Sequence, residues 1–215
     1  MHCPLCLNTE AISEYHSDKK RDYLHCGECD LVFVSPEYLP LPQREKQEYD
    51  LHENDFEDEG YRKFLGKVLT PLSQFISQRG KSRLNGLDFG CGPAPVLAHM
   101  LTEEGVEMSV FDPFFANNTE VLSHRYDLIT CTEAIEHFHT PHREWSLFNR
   151  MLKDGGVIAI MTKRHLDKAR FANWHYKNDI THVCFFSEAT FRYLANKENY
   201  DVSFPTNDVV LLKKV

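Results

Sequence analysis

Residues 87–94 are LDFGCGPA, a turn that carries two glycines between a predicted strand and a predicted helix. Gly90 and Gly92 allow positive backbone torsions and let a ligand approach the main chain, which is where open α/β sheets bind nucleotides. A dinucleotide fingerprint would need a third glycine at position 95, which is Pro95, and no Gly-Lys-Ser/Thr follows as in a phosphate loop. The stretch predicts a ligand site on an α/β sheet and disfavours a dehydrogenase.

Strands and helices alternate on both sides of this turn. The predicted strands cover 84–89, 106–111, 126–131 and 157–161, and a closing hairpin joins 200–204 to 209–213. The predicted helices cover 95–104, 141–152 and 187–196, the last capped by Ser187. An amphipathic helix is also predicted from Tyr61, with a kink at Pro71 and an end at Gly80. This alternation predicts a Rossmann-like, doubly wound α/β fold with a mostly parallel sheet and a C-terminal β-hairpin.

Two Cys-x-x-Cys pairs, Cys3/Cys6 and Cys26/Cys29, lie near the start of the chain. Each pair can direct two thiolates at one ion, and together they complete the tetrahedron that structural zinc prefers. Short strands are predicted over 22–25 and 31–34. The unit has too few apolar residues to fold alone, so a metal would supply much of its folding free energy. We predict a small zinc ribbon; the alternatives are spare thiols or a redox pair.

Composition places the chain among globular proteins with one full-sized core and a small appendage. It has 215 residues, 42% of them hydrophobic, and a net charge of -8. Nine acids against Arg44 and Lys46 make residues 37–60 strongly acidic. Because no apolar stretch reaches membrane-spanning length and the start lacks a signal-peptide pattern, we expect a cytoplasmic protein without membrane contact. The sequence contains no run of basic residues of the kind that would indicate a nucleic-acid-binding surface.

Four motifs in order resemble the class I S-adenosylmethionine-dependent methyltransferases. Asp88, Gly90 and Gly92 match the family's first motif, and Ala94 stands where a third glycine is commonest. The resemblance continues through 110–113, 126–138 and 152–157, and it spans residues 84 to 204. It implies S-adenosylmethionine as the cofactor. We therefore divide the chain into a zinc ribbon (1–36), an acidic linker with an N-terminal helix (37–82) and a methyltransferase domain (83–215).

The resemblance also implies a set of cofactor-binding residues. Asp112 stands where the family holds the ribose hydroxyls, and a carboxylate there can accept both hydrogen bonds. The full predicted set is Asp88, Gly90, Cys91, Gly92, Asp112, Pro113 and Thr132. Only fourteen residues separate Asp112 from Asp127, too few for the family's usual helix and strand, so we expect a sheet without its usual edge strand. Phe114 and Phe115 either stack on the adenine base or pack against protein.

Candidate reacting groups follow the third predicted strand of the domain. Methyl transfer is an in-line displacement that depends mainly on alignment, and a base is needed only when the acceptor must lose a proton early. Glu133, Glu136 and His137 would share a face if they began a helix. A similar Glu-x-x-Glu-His pattern in small-RNA and quinone-ring O-methyltransferases can hold a divalent metal. The alternatives are a direct role for His137 as base or substrate contact, or a structural helix start.

A second cluster lies in the unperiodic segment 162–186, which is predicted to close over the cofactor as an aromatic lid. The run Trp174-His175-Tyr176-x-x-Asp179-x-x-His182 resembles the substrate-side loop of zinc-bearing relatives. We predict His182 as the base, oriented by Tyr176 and Asp179; the alternative is an aromatic minicore joining the lid to the N-terminal helix. The predicted catalytic set is His182, His137, Tyr176 and Glu133. His139, His142 and His165 are expected at the surface.

Two classes of function remain open from the sequence. The leading hypothesis is a methyltransferase acting on a small molecule, because the charge of -8 disfavours strong phosphate binding. An RNA methyltransferase is the alternative within the enzyme class. The competing class is a non-catalytic binding module with a degenerate cofactor pocket.

Overall fold

The computed structural model describes residues 1–51, 55–79 and 83–215. Its strands are β1 (Ile12–Ser17), β2 (Asp22–Cys26), β3 (Val32–Val34), β4 (Asn85–Phe89), β5 (Glu107–Phe111), β6 (Tyr126–Thr132), β7 (Leu152–Met161), β8 (Cys184–Phe185), β9 (Tyr200–Ser203) and β10 (Val209–Lys214). Its helices are α1 (Pro42–Tyr49), α2 (Glu59–Gln78), α3 (Val96–Glu103), α4 (Pro141–Met151), α5 (Lys168–Ala172) and α6 (Glu188–Glu198).

The main sheet has the predicted Rossmann-like topology. Its strand order is β5-β4-β6-β7-β10-β9, with β4 to β7 parallel and the closing hairpin antiparallel. The registers Phe89↔Phe111 and Asp88↔Thr130 bring the carboxyl ends of β4, β5 and β6 to one edge of the sheet. Within the described residues β5 is the outermost strand on that side, as the short 112–127 segment predicts.

A second sheet joins the cysteine-bearing unit to the main domain. Its order is β1-β2-β3-β8, and β8 comes from the segment that follows the fourth parallel strand. The β3 pairings are Val32↔Phe185 and Phe33↔Cys184. The two regions also share one buried apolar core, because the small unit cannot bury enough surface by itself. The sequence missed β1 and β8, the strands that complete this sheet.

The acidic linker forms a helix that the sequence did not predict. Helix α1 places Glu45 at 7% exposure against the main domain, although the residues around it are mostly exposed. Helix α2 begins where Asp58 accepts hydrogen bonds from the N–H groups of Gly60 and Tyr61. It continues through Pro71, where the sequence predicts a kink, and the predicted stop at Gly80 lies outside the described residues.

The predicted C-terminal elements are confirmed. Ser187 caps α6, with its side chain accepting from the N–H of Thr190, and β9 pairs with β10 as the expected hairpin. The unperiodic segment contains α5, a short 3₁₀ turn at His175–Asn178 and β8. Across the described ranges, no helix combines the length and the apolar character needed to span a membrane.

Candidate active site

A cavity of about 830 Å³ opens at the carboxyl ends of β4, β5 and β6. The glycine turn after β4 and the Asp112 turn after β5 form one side. The segment after β6 and the loop around His182 form another, and α1 contributes Glu45 and Tyr49. Its volume lies within the range of small-molecule sites.

The glycine turn has the conformation that the sequence predicts. Gly90 has φ +77°, and its N–H donates to the carbonyl of Phe111 at 2.8 Å. A Cβ on Gly90 would lie 2.6 Å from the Cβ of Ala134, so only glycine fits this approach. Gly92 has φ +66° and lines the cavity, and a Cβ on it would meet no atom within 4 Å. The main chain at Gly92 is therefore bare toward the space where a nucleoside can bind.

Asp112 connects the two turns. Its Oδ2 accepts from the N–H of Gly92 at 3.0 Å, and its Oδ1 accepts from the N–H groups of Phe114 and Phe115 at 2.8 and 3.1 Å. The residue is 8% exposed and lines the cavity. Since a carboxylate offers about four acceptor positions, one remains for a ligand hydroxyl. Asp112 therefore caps its own turn and leaves room for one ribose hydroxyl, whereas the sequence predicts that it accepts from both.

Asp88 departs from the predicted cofactor set. It is 2% exposed and does not line the cavity, whereas Cys91, Pro113 and Thr132 do. Its Oδ1 accepts from the Thr130 hydroxyl at 2.7 Å. Burial raises the pKa of Asp88 to about 6, despite that hydrogen bond. Because β4 lies between β5 and β6 in the sheet, the Asp88 side chain is enclosed by protein and does not reach the cavity.

His182 lies at the opposite side of the cavity, on the predicted lid segment. It is 8% exposed, its Nδ1 donates to the carbonyl of Tyr176 at 2.8 Å, and its Nε2 lies 3.7 Å from Oδ2 of Asp179. Burial lowers the pKa of His182, although the Glu136 carboxylate opposes that shift. The ring is therefore neutral at pH 7, with the lone pair on Nε2.

His137 lies beside His182, and on both rings Nδ1 donates to a backbone carbonyl. Its Nδ1 donates to the carbonyl of Thr181 at 3.0 Å, and the two ring centroids are 4.8 Å apart. Both imidazoles line the cavity. Since a backbone carbonyl accepts from Nδ1–H on each ring, the lone pair of each neutral imidazole lies on Nε2, the atom that a base or a metal ligand would use.

Glu136 is buried behind the two histidines. It is 0% exposed; its Oε1 accepts from the Tyr176 hydroxyl, and its Oε2 has no hydrogen-bond partner among the described residues. Ligand atoms of Glu136, His137 and His182 lie within 4.8 Å of one another. Burial raises the pKa of Glu136, and the His182 and Tyr176 contacts oppose that shift.

Glu133 is not part of this group: the structure brings Glu136 and His137 together with His182, whereas the sequence predicts a helical face shared by Glu133, Glu136 and His137. The segment does not begin a regular helix: Glu133 has φ +47°, and its N–H donates to the carbonyl of Met161 at 2.8 Å. A 3₁₀ turn at Ile135–His137 follows. Glu133 still lines the cavity, and burial, followed by the nearby Glu136, raises its pKa to about 8.

Tyr176 supports the site from outside the cavity. It is 6% exposed, its hydroxyl donates to Glu136, and it does not line the cavity. Its ring centroid lies 4.1 Å from that of His182. The structure thus places Tyr176 where it can orient His182 and Glu136, and away from a direct contact with substrate.

The aromatic residues of the predicted lid pack against the ribbon. Ring centroids of Tyr15 and Tyr23 lie 5.3 and 5.2 Å from that of Phe171, and Phe171 lies 5.2 Å from Phe185. Phe171 and Phe185 are both 1% exposed. An aromatic minicore is therefore present, and these ring contacts join the segment to the ribbon.

The three histidines expected at the surface all have protein partners. His165 is 5% exposed and its Nε2 donates to the carbonyl of Asp30 at 3.1 Å. His142 donates from Nδ1 to the carbonyl of Pro4 at 3.0 Å, and His139 Nε2 lies 2.9 Å from Oε1 of Glu45. These contacts could not be predicted from local sequence, because each partner is remote along the chain.

The four N-terminal cysteines form one cluster. Their sulfur atoms all lie within 4.8 Å, and the Cys3–Cys29 and Cys6–Cys26 pairs are each 3.5 Å apart. These separations are too long for a disulfide and close to the ~3.8 Å edge of a zinc–thiolate tetrahedron with bonds of about 2.3 Å. Leu7 and Asp30, each following the second cysteine of its pair, have φ +64° and +59°. The two turns are therefore equivalent, and the donor set fits zinc.

Comparison with known families identifies the domain. Residues 61–203 match the family model described as a methyltransferase domain, which is more than half of the chain. The chain belongs to the class I S-adenosylmethionine-dependent methyltransferases. The match covers the glycine turn, Asp112 and both cavity histidines.

The similar curated proteins are ubiquinone biosynthesis O-methyltransferases. The Pseudomonas paraeruginosa protein is 30% identical over 98 residues, which cover 46% of this chain and 42% of that protein. The Serratia proteamaculans protein is 26% identical over 98 residues, 46% of this chain and 40% of that protein. The matched part therefore spans less than half the length of these relatives.

Solved structures support the fold of this methyltransferase. Magnesium protoporphyrin IX methyltransferase from Synechocystis, with bound S-adenosylhomocysteine (SAH), gives a TM-score of 0.51 at 12% identity and covers 80% of this chain and 94% of that chain. Human N-acetylserotonin methyltransferase, in complex with S-adenosylmethionine, gives 0.52 at 15% identity and covers 70% of this chain and 51% of that chain.

Proposed function

We propose that this methyltransferase transfers the methyl group of S-adenosylmethionine to a small-molecule acceptor, with His182 as the general base. The observation that carries the proposal is the single cavity that joins the Gly90–Gly92 turn and Asp112 to the His137–His182 pair. A cofactor at one end and an acceptor at the other can then meet inside one cavity. The relatives named for ubiquinone, protoporphyrin and N-acetylserotonin support a small acceptor.

The protein's own contribution is alignment, exclusion of water and removal of one proton. S-adenosylmethionine supplies an electrophilic methyl group on a sulfonium. The bare backbone at Gly92 and the carboxylate of Asp112 hold its nucleoside part. Nε2 of His182 accepts the proton of an acceptor hydroxyl as the oxygen attacks the methyl carbon, and the Tyr176 carbonyl holds the ring in the required tautomer.

The charge of the cavity wall supports a small molecule over RNA. The carboxyl groups that line it belong to Glu45, Asp112, Glu133, Glu136, Glu144 and Asp179. Arg143 is the one lysine or arginine among the described lining residues. A phosphodiester backbone would therefore meet mainly like charge, whereas RNA binding usually requires several basic contacts.

A metal-assisted variant of this function has a specific observation in its favour. Glu136, His137 and His182 would hold a divalent ion, and the unpartnered Oε2 of Glu136 would become a ligand. The backbone carbonyls on both Nδ1 atoms resemble the second shell that orients metal-bound histidines. In that case the ion would polarise the acceptor oxygen. Adding Mg²⁺, Mn²⁺ or Zn²⁺ to chelator-treated enzyme and measuring methyl transfer separates the two variants.

We further propose that the cysteine cluster binds one structural zinc ion and that the three segments 1–36, 37–82 and 83–215 are the organisational units of the chain. Supporting the zinc proposal are the equivalent turns after Cys6 and Cys29 and the four converging thiols. Thiols kept reduced for metal binding favour the cytoplasm as the location.

Titration with SAH tests the cofactor half of the proposal. We expect a Kd on the order of micromolar and at least tenfold weaker binding for Asp112→Ala, since a charge-assisted hydrogen bond contributes about 1.5–3 kcal/mol. Asp112→Asn retains an oxygen for the turn N–H groups and separates charge from turn structure. Asp127→Ala is the matched control, because Asp127 pairs with Lys153 outside the cavity.

Isotopically labelled S-adenosylmethionine and fractionated cell extract test the acceptor half. We expect label in the metabolite fraction. Label in RNA would contradict the small-molecule proposal, and SAH binding with no label in any fraction would favour the non-catalytic module.

A further inference from the structure

Arg21, in the turn between β1 and β2, extends from the ribbon into the main domain. It is 6% exposed. Its terminal N–H groups donate to the carbonyls of Asp179 at 2.8 Å, Ile180 at 3.0 Å and His182 at 3.1 Å, and also to the carbonyl of Lys177. Its Nε donates to the Tyr23 hydroxyl at 3.3 Å. One side chain therefore binds most of the backbone of residues 177–182, which we call the histidine loop.

A second contact ties the same two segments together. Nζ of Lys177 donates to Oδ2 of Asp18 at 2.7 Å, and Lys177 is 5% exposed. Oδ1 of Asp18 accepts from the N–H groups of Lys20 and Arg21 at 2.8 and 3.0 Å. Burial would raise the pKa of Asp18, but the Lys177 and backbone hydrogen bonds hold it below its ordinary value. The ribbon turn is thus itself fixed where it contacts the histidine loop.

The histidine loop carries the atoms that orient both cavity imidazoles. The Thr181 carbonyl accepts from Nδ1 of His137, and His182 is itself a member of the loop. The Asp179 side chain accepts from the N–H and hydroxyl of Thr181 at 2.9 and 2.7 Å, and it lines the cavity next to His182. A shift of this backbone by about 1 Å would therefore move both rings relative to the methyl donor.

Arginine suits this position better than lysine would. A guanidinium has five N–H donors in a rigid planar fork, so it can serve four carbonyls and one hydroxyl together, whereas an ammonium has three donors. Among the described residues no carboxylate forms an ion pair with Arg21. Burying a cation against carbonyl dipoles alone costs free energy. The hydrogen bonds that Arg21 forms there order the histidine loop.

We propose that Arg21 is a positioning residue of the methyltransferase: it holds the histidine loop so that the Nε2 atoms of His137 and His182 face the cavity. The proposal rests on the proposed function for its catalytic consequence, but the placement of the two rings can be tested without any substrate. It assigns the ribbon a role in organising the reacting end, through a residue that touches neither cofactor nor acceptor.

The first test compares Arg21→Ala, Arg21→Lys and the control Lys20→Ala, which removes an exposed cation from the same turn. Long-range ¹H–¹⁵N correlation spectra at a pH of about 8 report the tautomer of each neutral histidine. His137→Asn and His182→Asn assign the two signals. We expect Nδ1–H signals for both rings in the unaltered protein and in Lys20→Ala, loss of both in Arg21→Ala, and partial retention in Arg21→Lys.

The second test uses binding and turnover. SAH affinity should change by less than about threefold in Arg21→Ala, because Arg21 lies away from the glycine turn. With labelled S-adenosylmethionine and the extract fraction that accepts label, kcat should fall about 10- to 100-fold with the KM for S-adenosylmethionine unchanged, and Arg21→Lys should be intermediate.

Several outcomes would overturn the proposal. Unchanged tautomer signals and unchanged kcat in Arg21→Ala would do so, as would an equal effect of Lys20→Ala. If Arg21→Ala does not fold, Arg21→Lys and Asp18→Asn carry the test, and retention of both Nδ1–H signals in these two variants would contradict it. Failure of the unaltered protein to bind SAH would reject the proposed function alone, since the tautomer signals still report on Arg21.

Discussion

The two ends of the cavity are built in different ways. At the cofactor end, the main contacts come from backbone groups of two turns that lie within residues 89–115, at the ends of adjacent parallel strands. At the reacting end, two imidazoles are oriented by carbonyls of the histidine loop, and that loop is held by Arg21, 156 residues from its contact at Lys177. One end depends on local chain geometry and the other on long-range packing.

This difference has an energetic basis. A glycine turn obtains its shape from torsion angles that only a few residues allow, so it forms wherever the adjacent strands form. The histidine pair obtains its tautomers from the carbonyls of Thr181 and Tyr176, and burial lowers the pKa of His182. We expect changes in the ribbon to damage the reacting end more than the cofactor end, and changes in the turns to do the reverse.

The largest effect is expected from the double substitution Cys26→Ser and Cys29→Ser. It should remove about one equivalent of zinc and lower the free energy of unfolding by about 4 kcal/mol or more, because metal binding contributes directly to folding. If the methyltransferase domain remains folded at low temperature, SAH affinity should decrease by a smaller factor than the rate of methyl transfer. Metal analysis and thermal unfolding measure these effects, with Cys131→Ser as the control for loss of a thiol outside both the cluster and the cavity lining. Full zinc content in the double variant would disprove the assignment.

The next effect concerns the base. His182→Asn should lower kcat about 10²- to 10⁴-fold with SAH affinity nearly unchanged. His175→Asn, an exposed histidine of the same segment, is the matched control. Since burial lowers the pKa of His182 below 6.5, the neutral base persists to lower pH, and the acid limb of the kcat profile should lie below 6.5. A limb above pH 7 that disappears in His182→Asn would contradict the burial argument.

A smaller effect separates turn geometry from ligand contact. Gly92 and Gly105 have φ +66° and +87°, and a Cβ on either would meet no atom within 4 Å. Alanine at each should lower the free energy of unfolding by about 1–2 kcal/mol through the same torsional strain. Only Gly92→Ala, which faces the cavity, should also weaken SAH binding at least tenfold. Equal affinities in the two variants would mean that the nucleoside does not approach Gly92.

The smallest effect is the pH dependence of stability from Asp88. Its pKa is raised from 3.8 to about 6 in the fold, so its contribution is fully present below pH 3.8 and is lost as the pH rises through about 6. Asp88→Asn should therefore raise the free energy of unfolding by about 1 kcal/mol at pH 8 and bring no gain at pH 4. Chemical denaturation at the two pH values measures the difference, and Thr130→Val reports the cost of losing the hydrogen bond alone. A gain of the same size at both pH values would exclude ionisation as its cause.

Much of the methyltransferase domain was predictable from local pattern. The strands of the main sheet, the Ser187 cap and the closing hairpin follow from periodicity and turn residues, and the glycine turn follows from Gly90 and Gly92. The cysteine cluster was predictable from spacing. The helix in the acidic linker was not predictable. Helix α1 buries only the carboxylate Glu45, so its sequence lacks the apolar periodicity that predicts a helix.

The candidate site was predictable only in part, and the exceptions share a cause. Asp88 matches the cofactor motif by position, but it is buried within β4 and does not line the cavity. Glu133 precedes a short 3₁₀ turn and not a regular helix, and its backbone adopts φ +47°. Arg21 gives no sequence signal, since an arginine beside Asp22 in a charged turn is ordinarily a solvent-exposed residue.

The sequence by itself determined the fold, the family and the glycine turn after β4, because these depend on periodicity and on glycines whose effect is local. Only the tertiary structure decided which side chains meet at the reacting end. It brought Glu136, His137 and His182 together. It also left Tyr176 outside the cavity lining and placed Arg21 against the histidine loop. Burial and hydrogen bonding between distant segments determine these positions, and neither produces a periodic pattern in the amino-acid sequence.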